Sequence, residues 1–395
     1  MNSKLNSVEL FTGAGGLAMG LGRAGFHHSA LVEWDWNACE TIWHNSERGQ
    51  DDVVGWPLYH ADIRDFKYKP MGDKIELVAG GPPCQPFSLG GKHRGHADDR
   101  DMFSEAVRAL RSLKPRAFIF ENVKGMTRKS FADYFSYTHL RLTYPTIMSR
   151  KSETWHGHWQ RLEKHHTAGK RSRALKFNVI ARVLNAANYG VPQRRERVFF
   201  VGIRSDLNCE WGFPQETHSK NSLLREQWET QDYWERLEVP RKWRPKPPAN
   251  LDRQCRGWAV ELEKDSRLPW VTLRDAIQGL PRPTLAGSTE VANHKLVPGA
   301  RSYPGHTGSE LDMPAKTLKA GVHGVPGGEN TIRYESGAVR YLTIREAARL
   351  QQFPDDFEFF GSWSQSMRQL GNAVPVGLAE ILGENLRATL NRERK

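Results

Sequence analysis

This sequence predicts an α/β fold, an open sheet flanked by helices, with a second, smaller, loop-rich domain late in the chain. Three observations carry the expectation. Apolar runs of strand length at 7–11, 30–32, 75–79 and 117–120 alternate with stretches whose apolar residues recur at helical spacing. The first run leads directly into a glycine-rich turn, TGAGG. Three of the runs end beside a residue able to do chemistry, Glu33, Cys84 or Glu121, and open α/β sheets hold their ligands at the carboxyl ends of strands.

In the turn after 7–11, Gly13, Gly15 and Ala18 fit G-x-G-x-x-G/A, and Glu33 stands 20 residues beyond Gly13. Glycine lets the backbone approach a ligand closely, and a carboxylate at that distance can accept from two ribose hydroxyls. The spacing predicts a nucleoside cofactor without choosing it, because the pyrophosphate of a dinucleotide suits the same turn.

The run 75–79 passes into GGPPCQPFS, where Pro82, Pro83 and Pro86 fix φ and remove amide donors. Cys84 is therefore expected outside any helix or sheet ladder. A lone cysteine is often a small buried hydrophobe, but a proline-locked turn at a strand end favours a nucleophile. The stretch 89–101, rich in glycine and charge, reads as a mobile loop. Residues 102–113 repeat apolar positions at helical spacing (Phe103, Ala106, Val107, Leu110), with Pro115 beyond the end. The strand 117–120 then delivers Glu121.

Residues 127–176 show no strand pattern. Trp155, Trp159 and Leu162 fall on one helical face, which places His156, His158, His165 and His166 towards solvent. No cysteine or acidic grouping accompanies those histidines, so no metal site is expected. Two β segments follow within 177–203, joined by ANYGVPQRRE. From 205 to 340 the chain carries six tryptophans, many prolines and few periodic runs. Regularity returns at YLTIREAARLQQF: Thr343 with Glu346 forms a capping box, and Ile344, Ala347, Ala348 and Leu350 form the apolar stripe. QLGNAVPVGLAEILGENL supplies a turn and a last helix.

Composition narrows the class. The chain of 395 residues is long enough for two or three domains, and 38% hydrophobic with 26% charged residues is ordinary for a globular protein. No apolar run approaches a membrane span and the N-terminus lacks a signal-peptide core, so a cytoplasmic protein is expected. The four cysteines lie far apart and form no CxxC pair, which disfavours a disulfide framework and zinc knuckles. Net charge is +12, and residues 121–204 alone carry +12, against −1, +1 and 0 for 1–120, 205–340 and 341–395. A surplus so localised points to a polyanionic partner, nucleic acid first. Lys164, Lys170, Arg171 and Arg173 are its candidates for phosphate contact.

Taken in order, FTGAGG, GGPPCQPFS, Glu121-Asn122-Val123, QRRER, PAKTL and QLGNAVP resemble the motifs of the DNA (cytosine-5) methyltransferase family, of the bacterial modification type. The resemblance implies a Rossmann-like S-adenosylmethionine-dependent methyltransferase sheet over 1–204 plus 341–395, with a target-recognition domain at 205–340. It implies S-adenosyl-L-methionine as cofactor, held first by Phe11, Gly13, Gly15, Gly16, Glu33 and Trp34. Asp62, Ile63, Pro83, Met102, Asn372 and Val374 would complete that site. Cys84 would be the nucleophile towards C6 of a flipped-out cytosine, Glu121 the group on its N3 and 4-amino edge, and Arg197, with Arg195, their orienting cations. Ser88, Lys92, Arg94 and Thr317 would contact double-stranded DNA. A monomer beside a cognate restriction endonuclease is the implied setting, with association to the nucleoid through DNA. The nearest rival is a tRNA cytosine-5 methyltransferase of the same family. A dinucleotide-dependent oxidoreductase leaves PCQPFS unexplained, and a binding protein without catalysis would need a broken site.

Overall fold

A computed structural model describes residues 5–68, 74–83, 102–168, 174–247, 266–304, 307–320 and 330–392. Cys84, Ser88, Lys92 and Arg94, the expected loop 89–101, and Lys170, Arg171 and Arg173 lie outside the described residues. The chain divides into two units: Met1–Leu184 with Glu196–Pro214 and Ala379–Lys395, and Asn185–Arg195 with Gln215–Leu378.

The strands up to residue 204 are β1 (Leu5–Leu10), β2 (Phe26–Glu33), β3 (Leu58–His60), β4 (Leu77–Gly80), β5 (Ala117–Val123), β6 (Phe177–Asn185), β7 (Gln193–Arg194) and β8 (Glu196–Arg204). All but β7 form one seven-stranded sheet in the order β3-β2-β1-β4-β5-β8-β6. The pairs β1–β2, β1–β4, β2–β3 and β4–β5 are parallel, whereas β8 runs antiparallel to β5. Five strands therefore end at one edge, and β8 starts there. The central strands are buried on both faces, which explains why their sequences are continuous apolar runs rather than alternating ones. Val8, Leu10, Val78, Phe118, Phe120 and Phe200 pack in one core with Phe103 and Leu110 of the helix Phe103–Leu113.

The helices of this unit are α1 (Gly16–Arg23), α2 (Trp36–Glu47), α3 (Phe103–Leu113), α4 (Ala132–Thr143) and α5 (Trp155–Thr167). α2 is capped by Asp35, whose side chain accepts from the Ala38 N–H, and α3 stops at Lys114, which takes a left-handed conformation ahead of Pro115. α5 corrects one expectation. His158 is buried rather than solvent-facing, because α4 offers it a partner: its ring nitrogens meet Tyr137 Oη at 3.0 Å and the Ile147 carbonyl at 2.8 Å. The last helix, Val376–Arg392, crosses the division in its first turn. Within the first unit it meets the end of α1, where Arg387 donates to the Ala24 carbonyl at 3.1 Å.

The second unit has only strands of two or three residues among those described. β7 pairs with Ala315–Lys316, His218–Ser219 with Leu268–Pro269, and Thr331–Arg333 with both Ser309–Glu310 and Val339–Tyr341. A small core of Leu223, Tyr233, Trp234 and Val239, with Trp228 and Trp270 against it, stands in for a large sheet. A polar cluster backs it: Asp312 accepts from Arg274 at 2.6 and 2.9 Å and from Tyr233 Oη at 2.9 Å. Thr343 and Glu346 form the expected capping box of the helix Ile344–Leu350. Its apolar stripe is narrower than expected, with Ile344 half-buried. Arg345 instead is fully buried, donating to the carbonyls of Ala292, Pro354 and Phe357. These contacts, and the bond between the His294 ring and Thr343 Oγ1 at 2.9 Å, join residues 341–378 to the second unit as a compact body.

Candidate active site at the sheet edge

The glycine turn leaves β1 through residues with positive φ: Phe11 at 58°, Gly13 at 57° and Gly15 at 88°. Gly15 is required on two counts, the left-handed backbone and the indole of Trp56, which would lie 2.7 Å from a Cβ there. Among the described residues nothing would lie within 4 Å of a Cβ on Gly13, so they leave the turn open on that side. Gly16 begins α1, and the helix N-terminus has no side-chain cap.

Glu33 holds this turn from β2. Its Oε2 accepts from the Gly13 N–H at 2.7 Å, and its Oε1 from the Trp34 and Asp35 N–H groups at 2.9 and 2.8 Å. Burial pushes its carboxyl above the ordinary value, while the three backbone donors pull in the opposite direction. Trp34 keeps its indole 66% exposed while its backbone is pinned at both ends, by Glu33 and by the His60 ring on its carbonyl at 3.0 Å. An uncovered aromatic face beside a carboxylate suits a purine and its ribose. Asp62 follows β3 with its carboxylate in an ion pair with Arg64 at 2.5 Å, and that guanidinium holds it below the usual carboxylate range. Ile63 is buried, and its carbonyl accepts from Arg108.

β4 ends on Gly80, where a Cβ would run into the Leu10 carbonyl oxygen of the neighbouring strand. Gly81, Pro82 and Pro83 follow, and the Met102 N–H donates to the Pro83 carbonyl at 3.2 Å. Cys84 is the next residue in the chain. Asn122 of β5 reaches across to this turn, its Nδ2 donating to the Pro82 carbonyl at 2.9 Å. Its neighbour Glu121 is 7% exposed, with Arg197 Nε 2.8 Å from Oε1. The contact is an ion pair without hydrogen-bond alignment, since Oε1 has no hydrogen-bond donor among the described residues. The antiparallel register that sets Arg197 opposite Val123 is what brings the cation to this carboxylate.

Phe11, Gly13, Gly15, Gly16, Glu33, Trp34, Asp62, Ile63, Pro83, Met102, Glu121 and Arg197 all belong to the first unit. Arg195, Thr317, Asn372 and Val374 belong to the second. There Arg195 is 1% exposed, Thr317 Oγ1 donates to the Arg194 carbonyl at 2.7 Å, Asn372 is exposed and Val374 buried.

Three buried polar residues on these strands escaped the sequence reading. Asn122 was visible only as the middle of ENV. Glu9, on β1, is 1% exposed, and its Oε2 has no hydrogen-bond partner among the described residues; burial drives its carboxyl far above the ordinary range. The available signal was a charge inside an apolar strand. His28 packs edge-on to Trp56 and binds Ser7 Oγ and the Ala18 carbonyl, each at 2.9 Å; burial lowers its pKa to about 4. Among the described residues no group of His, Cys, Asp and Glu could hold a metal, and no helix is long and apolar enough to cross a membrane.

Comparison with known proteins gives a consistent outcome. The family model for C-5 cytosine-specific DNA methylase matches residues 5–140 and 160–388. The type II methyltransferase M.PspPI of Psychrobacter sp. is 31% identical over 98% of this chain and 80% of its own. M.NgoMIV of Neisseria gonorrhoeae is 28% identical over 99% of both chains. Among solved structures, the S. pombe Dnmt2 methyltransferase shares the fold with a TM-score of 0.55 at 17% identity, covering 98% of this chain and 100% of its own.

Proposed function

The chain belongs to the C-5 cytosine-specific DNA methylase family and is a DNA cytosine-5 methyltransferase of the kind found in restriction-modification systems; from that premise we propose how its residues divide the reaction. S-adenosyl-L-methionine is the cofactor, and it supplies an electrophilic methyl group on a sulfonium. The fit rests on the open positive-φ turn at Gly13, the buried Glu33 beside it and the uncovered face of Trp34. Glu33 accepts from the ribose hydroxyls, Trp34 stacks on the adenine, and Asp62 and Ile63 line its edge, with Asp62 giving up part of its pairing with Arg64. Pro83 and Met102 also contact the cofactor, and Asn372 and Val374 are its contacts from the last motif.

The substrate is a cytosine turned out of a specific duplex sequence, at a cost of a few kcal/mol. Carbon 5 of cytosine is too weak a nucleophile by itself. The Cys84 thiolate adds to C6, and the electron pair of the C5–C6 bond moves towards N3, leaving an enamine-like C5. Glu121, protonated, donates to N3 and accepts from the 4-amino group, which stabilises charge developing on the ring. Arg197 fixes the Glu121 carboxyl and Arg195 assists. C5 takes the methyl group, the C5 proton leaves to water, and elimination expels the Cys84 thiolate to restore the aromatic ring.

Ser88, Lys92, Arg94 and Thr317 contact DNA, and residues 205–340 carry base readout. The enzyme acts as a monomer on the bacterial nucleoid, beside an endonuclease of the same specificity. The observation that carries this reading is that Glu33, the Gly80–Pro83 turn and Glu121 lie at or near the carboxyl ends of β2, β4 and β5 in one sheet, with Cys84 next in the chain. Bisulfite sequencing of DNA from cells expressing the protein tests it: 5-methylcytosine at one recurrent sequence is expected. Unmodified DNA alongside methylated tRNA would favour the RNA reading instead.

A further inference from the structure

Two buried glutamines join the segment carrying Thr317 to the turn carrying Asn372 and Val374, all within the second unit. Gln193 of β7 and Gln351, just past the helix Ile344–Leu350, are each 0% exposed. Gln193 Nε2 donates to Gln351 Oε1 at 3.2 Å and to the Leu350 carbonyl at 3.3 Å. Its Oε1 accepts from the Leu318 N–H at 2.9 Å. Gln351 Nε2 passes the connection on, donating to the Ala373 carbonyl at 3.1 Å and to that of Leu370.

A steric contact reinforces the polar one. A Cβ on Gly371 would lie 2.6 Å from the Lys319 carbonyl carbon and would run into the Ala320 nitrogen. Backbone meets backbone there, so the segment after Thr317 and the last turn of the helix Trp363–Asn372 are in direct contact. Neither amide has a hydrogen bond to spare, and removing one strands buried carbonyls or an N–H without a partner.

We propose that Gln193 and Gln351 are positioning residues that lock the DNA-facing segment at Thr317 and the cofactor-facing turn at 372–374 into one rigid piece. Binding of DNA and of cofactor then depend on the same two side chains. The proposal rests on the roles of Thr317, Asn372 and Val374 given above.

Steady-state kinetics of the full chain with Gln193→Met, Gln351→Met and the double substitution test it, well below the melting temperature of each. The expected result is that KM for DNA and KM for S-adenosylmethionine each rise about tenfold while kcat moves by less than about threefold. The double variant should be no worse than the more damaging single one, as for residues acting through one shared contact. Gly371→Ala, which wedges the two segments apart, should reproduce the pattern. A lowered melting temperature with both KM values unchanged would reduce the pair to a structural role and overturn the proposal, as would a rise in one KM alone. If Gln351→Met does not fold, Gln193→Met and Gly371→Ala decide by the same criteria. Thr317→Val and Asn372→Ala serve as controls, expected to raise KM for DNA only and for cofactor only. If neither does so, the proposal falls with its premise, an outcome distinct from failure of the glutamine pair itself.

Discussion

The two units solve the placement of functional side chains in opposite ways. In the first, a mainly parallel sheet fixes where strands end, and each group of interest sits within a few residues of a strand terminus: Glu33 on β2, the Pro83 turn after β4, Glu121 on β5. In the second, strands are too short to position anything alone, and side-chain contacts across long stretches of chain do the work. Tyr233 reaches Asp312 from 79 residues away, and Gln193 reaches Gln351 from 158. Chemistry held by backbone geometry tolerates change in its surroundings, whereas a module held by dispersed polar contacts can vary in sequence only when partners change together.

The largest effect that separates the two is expected at the sheet edge. Glu121→Ala should lower kcat by about 10²–10⁴-fold, the usual contribution of a positioned acid or base. Cofactor affinity by calorimetry should stay unchanged, because Glu121 ends a different strand from Glu33. A loss shared equally between kcat and cofactor affinity would mean that the edge acts as one unit, and that the strands do not partition the roles.

The first unit should also carry its own acid sensitivity. His28 is buried as a neutral ring, accepting at Nδ1 from Ser7 and donating from Nε2 to the Ala18 carbonyl, and burial holds its pKa at about 4 against 6.5 in the unfolded chain. The stability linked to this neutral form is full above pH 6.5 and is lost as pH falls through 4. That amounts to about 3 kcal/mol over the window. Thermal melts across this range should show a shallower decline for His28→Gln than for the native protein; parallel curves would assign the acid sensitivity elsewhere.

In the second unit, Asp312→Ala removes the acceptor shared by Arg274 and Tyr233. The cost should be about 2–3 kcal/mol, less than the full penalty of breaking a buried pair, because the Arg274 side chain keeps 24% of its surface exposed. Hydrogen exchange should place that loss in 215–378 and leave protection of the first unit's sheet intact. Exchange that rises equally in both units would erase the distinction between them. The smallest effect belongs to Glu33→Ala, which should weaken S-adenosylmethionine binding by about 1.5–3 kcal/mol, the value of charged hydrogen bonds. Unchanged affinity by calorimetry would move the ribose site.

This contrast also explains what the sequence could and could not reveal. The places of the glycine turn, Glu33 and Glu121 at or near strand ends and the capping box at Thr343 were legible because each depends on neighbours a few residues away. His158 was misread because helical periodicity knows nothing of Tyr137 on α4, and Arg345 was missed as a core residue because its three carbonyl partners come from other segments. Glu9 and the glutamine pair escaped for the same reason: their meaning lies in burial, which only the assembled fold defines. The expected module boundary at 341 followed motif order, whereas the compact unit follows contacts of 341–378 with residues such as Asn293 and His294.

The central claim is that Cys84, the residue following the Pro83 turn, attacks C6 of cytosine. DNA carrying 5-fluorocytosine at the target position tests it most directly, since fluorine cannot leave C5 as the proton does and the adduct has no route to elimination. Incubated with this DNA and S-adenosylmethionine, the native protein should form a complex that survives denaturation, with the cross-link mapping to Cys84 by mass spectrometry, and Cys84→Ala should form none. Methylation retained by Cys84→Ala, or the absence of any denaturation-resistant complex with the native protein, would contradict the account.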